Sequence, residues 1–249
     1  MNVPMKKPLT GSALKWIAIL TMLIDHAGAC LIEVFVMNAY GTSPLAGRLT
    51  GEQIMAWYDF DVYLRLIGRI AFPIFCFLLV EGVVHTRNMG KYMLRLALFA
   101  LLSEVPFDLA FHNMLIFTGS QNVYLTLALG LAAVWILKGW EMEKWRLPVG
   151  LLLPAFAARL LQTDYGAVGV LVIVLMYLFR EMPWIRAAAC VFVLVTFHSL
   201  EWPAVFSFLL IALYNGERGR QPKYFFYGFY PVHLLVLWVI GRFLLVNFV

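Results

Sequence analysis

The chain has 249 residues, 63% of them apolar and 13% charged, with a formal net charge of +5, a pI near 9.2 and a mean hydropathy of +0.83. Soluble domains carry about 45–50% apolar and about 25% charged residues, so a soluble domain is excluded, as is disorder, which needs few apolar residues and much charge. The apolar runs are also too long for the roughly ten-residue alternating strands of an outer-membrane barrel, which leaves an all-α polytopic membrane helix bundle.

A spanning helix needs roughly 20 mainly apolar residues. In chain order, the runs near 14–36, 66–84, 95–111, 122–138, 147–162, 166–179, 183–198, 202–214 and 231–248 predict nine transmembrane spans, within a range of eight to ten. The fifth, sixth and eighth are short. The first run exceeds a signal-peptide core of about 7–15 residues and carries Asp25, His26 and Glu33, so it is expected to stay in the mature protein. The segment 37–64, with Gly, Ser, Thr and Pro at its start and Trp57-Tyr58-Asp59-Phe60-Asp61 at its end, reads as an external connector, and it is the one external segment long enough to form a lid or acceptor contact. No repeat, low-complexity tract or soluble domain interrupts the pattern, so residues 1–249 read as one integral membrane domain. Gly82, Gly130, Gly166 and Gly169 suggest close helix contacts. Cys30, Cys76 and Cys190 lie inside apolar runs and read as buried thiols.

Lysine and arginine set the orientation. One alternate set of connections holds Lys6, Lys7 and Lys15; Arg87, Lys91 and Arg95; Lys138, Lys144 and Arg146; Arg180 and Arg186; and Arg218, Arg220 and Lys223, which is 14 of the 19 basic residues. Positive loops stay in the cytoplasm, so the amino terminus is expected inside. The basic pI is thereby explained with no nucleic-acid partner. Trp16, Trp57, Trp140, Trp145, Trp184 and Trp202 fall near span ends, where interfacial tryptophans belong.

Within the spans the sequence keeps Asp25, His26, Glu33, Arg69, Glu81, Glu104, Asp108, Arg159, Asp164, His233 and Arg242. A charge costs at least about 2.5–3.5 kcal/mol to insert at the bilayer centre, and ion pairs are a poor way to stabilise a buried core; a collection this large points to function. His26 and Glu33 share a helix face, and Asp25, one residue before His26, points elsewhere. Arg65 with Arg69, Glu81 with His85, and Glu104 with Asp108 are each four apart and project to one side. His26, eleven residues past Lys15, falls near mid-membrane. It suits a general base in an apolar site or, equally, a histidine bonded across helices. His85 can serve a cytoplasmic ligand or face solvent. His112 and His198 sit at the outer edge, where an ordinary structural role suffices; His233 at the start of the last span is better placed for function. No HExxH, GxSxG or Walker loop occurs, and no two histidines have metal-ligand helical spacing.

Several segments together resemble the TraX family of membrane proteins: Lys15-Trp-Ile with Ile24-Asp25-His26; Gly68-Arg69-Ile-Ala-Phe72-Pro73; Glu81-Gly82-Val-Val-His85-Thr86 running to Tyr92 and Arg95; Ser103-Glu104-Val-Pro106-Phe107-Asp108; Asn122 with Thr126; Asp164-Tyr165-Gly166; and Phe229-Tyr230-Pro231-Val-His233. The pieces keep their order over nearly the whole chain. The resemblance implies a multi-pass protein of the bacterial inner membrane that moves acetyl from cytoplasmic acetyl-CoA to a membrane or extracytoplasmic acceptor, for the namesake the pilin amino terminus. It implies His26 as catalytic base.

On that implication, Asp25, Glu104 or Asp108 orients His26 or holds the acceptor amine, and Arg69 pairs with those carboxylates. The acyl-CoA donor falls to Glu81, His85, Arg87, Arg95, Arg69 and His233, with Lys91 beside them; arginine suits its phosphates. No metal is expected, and membrane lipids surround the chain. A proton-coupled transporter or an envelope or pilus assembly partner are the alternatives.

Overall fold

The computed structural model describes residues 7–43, 45, 47–220, 222 and 224–244. Lys6, Lys223 and the end of the ninth expected span lie outside them. Among the described residues the chain is all-α without a strand. In chain order its helices are α1 Gly11–Ala27, continued by a π-helix Gly28–Val36, α2 Gly51–Gly68, α3 Ala71–His85, α4 Met89–His112, α5 Val123–Leu137, α6 Arg146–Leu160, α7 Gly166–Leu178, α8 Pro183–Phe197, α9 Ala204–Ala212 and α10 Phe225–Val239, continued by a π-helix Ile240–Leu244. A 3₁₀ turn, Ser199–Glu201, leads from α8 into α9.

Each apolar run singled out in the sequence lies on a helix. The segment 37–64 is corrected: its second half is most of α2. Glu52, Asp59, Asp61 and Arg65 dilute its hydropathy below that of a span. The helix nevertheless announces itself by a capping box, in which Thr50 Oγ1 accepts from Gln53 N–H and Gln53 Oε1 accepts from Thr50 N–H at 2.9 Å.

Three helical runs are long and apolar enough to cross a membrane by length and composition: Gly11–Val36, Gly51–His85 and Phe225–Phe243. Four others, Val123–Leu137, Gly166–Leu178, Pro183–Phe197 and Ser199–Ala212, are apolar but shorter. A 15-residue helix rises about 22 Å against about 30 Å of hydrocarbon, so length alone does not carry nine full crossings. Large apolar side chains, among them Leu101, Ile116, Phe156, Leu160 and Phe192, stand exposed on the outside, as they must where the solvent is lipid.

α1 packs on α2 and α3, α5 on α4, α6 and α7, and α10 on α4. Small residues allow the closest approaches. A Cβ on Gly68 would strike the Asp25 carboxylate, one on Gly130 would strike Ile173, one on Gly169 would strike Thr126, and one on Gly82 would meet the Tyr92 hydroxyl. Gly166 departs from the expectation: nothing lies near its Cβ position, and its φ of +48° marks a turn. Pro231, inside α10, leaves the Tyr227 carbonyl without its usual N–H donor, and the Tyr124 hydroxyl of α5 donates to it at 3.2 Å.

Gly68→Ala is expected to lower thermal stability in detergent by about 1–3 kcal/mol, the usual cost of overpacking. Gly228→Ala, where a Cβ meets nothing, is expected to gain about 0.5–1 kcal/mol as an ordinary helix substitution. Thermal melts of the two variants give the comparison.

Candidate functional site

Charges in a low-dielectric interior must be paired, and here the pairing joins distant segments. Asp25 of α1 accepts from two arginines at the α2–α3 junction: Arg65 Nη1 at 2.6 Å and Arg69 Nη2 at 3.1 Å. Arg65 Nε also faces Glu33 Oε1 at 3.2 Å. Arg69 Nη1 donates to Glu201 Oε1 of the 3₁₀ turn at 2.8 Å and to the Tyr165 hydroxyl at 3.4 Å, while its Nε donates to the Arg65 carbonyl at 3.1 Å. Tyr165 stacks flat on Phe72, with ring centroids 3.7 Å apart. Among the described residues, Asp61 Oδ1 and Glu201 Oε2 are buried oxygens without a hydrogen-bond partner.

One residue along α1, His26 meets His233 of α10, Nδ1 to Nε2 at 2.7 Å. The other nitrogen of His233, Nδ1, lies 2.8 Å from the Phe229 carbonyl. A carbonyl only accepts, so His233 Nδ1 carries a proton. In the neutral pair, His233 Nε2 is then an acceptor and His26 Nδ1–H donates to it. The relay leaves His26 Nε2 with a bare lone pair. The two imidazoles lie edge to edge, centroids 5.0 Å apart with planes 7° apart, as an in-plane hydrogen bond requires, while His233 stacks on Phe229 at 4.8 Å, and Phe111 and Tyr230 meet His26 edge-on at 5.1 and 5.8 Å. An aromatic cage thus fixes both rings.

Four cavities adjoin in a row. At one end of the bundle, a basic vestibule of about 320 Å³ is lined by Lys15, Glu81, His85, Tyr92, Arg95 and Arg218. It shares Lys15, Tyr92, Arg95, Arg218 and Tyr227 with an apolar cavity of about 190 Å³ that reaches Met22, Phe75 and Val123. Those last three also wall a central chamber of about 410 Å³ holding Asp25, His26, Arg65 and Arg69. Glu33, Arg65, Arg69, Asp164 and Tyr165 then divide the chamber from a cleft of about 390 Å³ lined by Asp61 and Glu201. The ends of the row differ in charge: cations gather at one and carboxylates at the other.

The expected site residues therefore divide. His26 and His233 come together, which moves His233 from the donor group to the side of His26. None of the three carboxylates expected to orient His26 does so: Asp25 is held by the arginines, Glu104 accepts from Asn122 Nδ2, and Asp108 Oδ2 accepts from Phe117 N–H at 2.8 Å. Arg69 pairs with Asp25 and Glu201, not with Glu104 or Asp108, and lies away from the basic vestibule. Glu81, His85 and Arg95 line that vestibule, whereas Arg87 is exposed and does not line it. Sequence reasoning missed Glu201 and Arg218 as site residues. It used Lys15 only as a depth marker, although eleven residues place Lys15 and His26 three turns apart on one face of α1.

A family model described as TraX protein matches residues 10–241. Among curated proteins, the chain is similar to a probable fimbrial assembly protein FimC, serogroup H1, of Dichelobacter nodosus, with 29% identity over 201 residues that cover 70% of this chain and 81% of that protein. No solved structure matches.

Arg69→Met leaves Asp25 with a single guanidinium and Glu201 with none. It is expected to destabilise the protein by about 3–5 kcal/mol, the cost of breaking a buried pair, and Arg69→Lys by less, because the charge survives without the fork. Melting in detergent, read by tryptophan fluorescence, checks both.

Proposed function

The chain belongs to the TraX family, and on that premise we propose that it transfers acetyl from acetyl-CoA at the cytoplasmic face to an amine or hydroxyl presented from the other side of the membrane. His26 is the general base. The observation that carries this reading is the His26–His233–Phe229 relay, which leaves an unprotonated imidazole nitrogen on a residue that lines a chamber between two oppositely charged mouths.

The basic mouth suits the donor. Lys15, Arg95 and Arg218 line a vestibule able to take the phosphates of CoA. Lys15 and His26 are about 16 Å apart along α1, a span that a flexible pantetheine arm bridges through the apolar cavity. The carboxylate mouth suits an acceptor amine. His26 Nε2 removes the proton from the acceptor as it attacks the acyl carbonyl. His233, held by the Phe229 carbonyl, keeps His26 in that tautomer and is a positioning residue. The guanidinium groups of Arg65 and Arg69 line the same chamber and offer fixed positive charge to the oxyanion. The acceptor class we propose is a pilus-associated protein, a reading that draws on the family and on the name of the fimbrial relative. The setting is the bacterial inner membrane, with several passes and the amino terminus inside.

A second reading, an assembly partner without catalysis, draws on that relative's name and predicts no donor binding. Purified protein given labelled acetyl-CoA is the test. Turnover should fall by about 10²-fold or more in His26→Ala, with donor affinity nearly unchanged. Arg95→Ala should instead weaken donor binding by roughly tenfold, as expected for a lost charged hydrogen bond. Absence of both donor binding and turnover in folded wild-type protein refutes the transferase and leaves the assembly reading.

A further inference from the structure

The central chamber holds a second histidine that the relay does not use. His112, at the end of α4, is 3% exposed, and Asp108 one turn earlier is 2% exposed. Their facing atoms, His112 Nδ1 and Asp108 Oδ1, are 3.9 Å apart, and both are buried without a hydrogen-bond partner among the described residues. On the other side of the ring, Nε2 lies 3.2 Å from the Ser120 hydroxyl. A carboxylate next to Nδ1 favours the tautomer with a proton there, so Nε2 accepts from the Ser120 hydroxyl. This is a serine, a base within hydrogen-bond reach of it, and a third group placed to orient the base, the general arrangement of an activated nucleophile.

The surroundings hold the three side chains in place. The imidazole is clamped between Phe117, stacked at 3.9 Å, and Tyr40, edge-on at 4.9 Å. Asp108 Oδ2 accepts from Phe117 N–H at 2.8 Å, which ties the 113–122 connection back to α4. Next to Ser120, Gln121 is fixed by backbone bonds to the α6–α7 turn, its N–H to the Gln162 carbonyl at 3.0 Å and its carbonyl from Asp164 N–H at 2.8 Å. His112 and Ser120 line the same chamber as His26. The sequence alone places His112 in an ordinary structural role at the outer edge; the fold brings it to Ser120, eight residues on.

We propose that Ser120 is an acyl-accepting nucleophile, with His112 as its base and Asp108 as the positioning residue, so that the acyl group passes through a serine ester on its way to the acceptor. The inference deepens the transferase reading and rests on it for the donor. In the first half, Ser120 Oγ attacks the thioester carbonyl, the C–O bond forms, the C–S bond breaks, and His112 Nε2 takes the hydroxyl proton while the CoA thiolate leaves. Asp108 stabilises the imidazolium that waits between the halves. In the second half, the acceptor attacks the ester, His26 takes the acceptor's proton, and His112 returns its own to Ser120 Oγ. The proton on His26 then goes to water, which supplies one to the thiolate. The sum is thioester plus acceptor to acylated acceptor plus thiol.

A fluorophosphonate probe reacts with an activated serine and needs no thioester, so its outcome stands apart from the donor reading. Purified full-length protein in detergent is treated with the probe and the adduct is located by peptide mass. The expected result is one adduct on Ser120, absent in Ser120→Ala, slowed at least about tenfold in His112→Gln and slowed less in Asp108→Asn, with all variants checked by size exclusion. An adduct on Ser120 combined with no acetyl transfer keeps the triad and discards the acetyl-CoA donor. No adduct on Ser120 in folded wild-type protein, or labelling as fast in His112→Gln, overturns the triad. Full acetyl transfer by Ser120→Ala overturns its place on the acyl path.

Discussion

The structure turns on a carboxylate that two arginines share. Asp25 could not remain charged in an apolar interior alone, and neither could Arg65 or Arg69. Their mutual bonds fix α1 against the α2–α3 junction, and Arg69 extends the tie to Glu201 in the turn before α9. Gly68 makes the approach possible, because any side chain there would occupy the space of the Asp25 carboxylate. Once α1 is fixed at Asp25, the next residue, His26, has its position set as well. Its partner comes from the far end of the sequence, on α10.

The two halves of the chamber wall differ in chemical character. The arginine–carboxylate side supplies fixed charge and net acidity toward one mouth. The histidine side is aromatic, and in the proposed reaction its imidazole is the base. The Phe229 carbonyl sets the tautomer of His233, and His233 sets that of His26, so a backbone group four residues from His233 decides which nitrogen of His26 is free. Neither side requires the chain to bury an unpaired charge at the histidines.

Much of this was legible in the sequence, for physical reasons. Each apolar run became a helix because its composition left no alternative in lipid. His26 stands out because it falls near mid-membrane, where a neutral imidazole is cheap to bury and can still accept a proton. What could not be read was partnership between distant segments. His233 was noticed, but nothing in one sequence says that α10 lies beside α1. Glu104 and Asp108 looked like partners for His26, yet each is engaged locally, with Asn122 and Phe117. Glu201 sits in a short turn with no periodic signal at all. Helix α2 is a different case: its charges lower its hydropathy below that of a span, while its Thr50–Gln53 capping box is there to be read.

The central claim is that one chamber joins a donor mouth on the His85 and Arg95 side to an acceptor mouth on the Asp61 and Glu201 side. Proteoliposomes of uniform, protease-verified orientation test it most directly, with labelled acetyl-CoA confined to one face and an amine-bearing acceptor peptide to the other. Transfer is predicted only when the donor is on the His85 face and the acceptor on the opposite one. Equal transfer with donor and acceptor exchanged, or transfer only with both on the same face, would contradict the account.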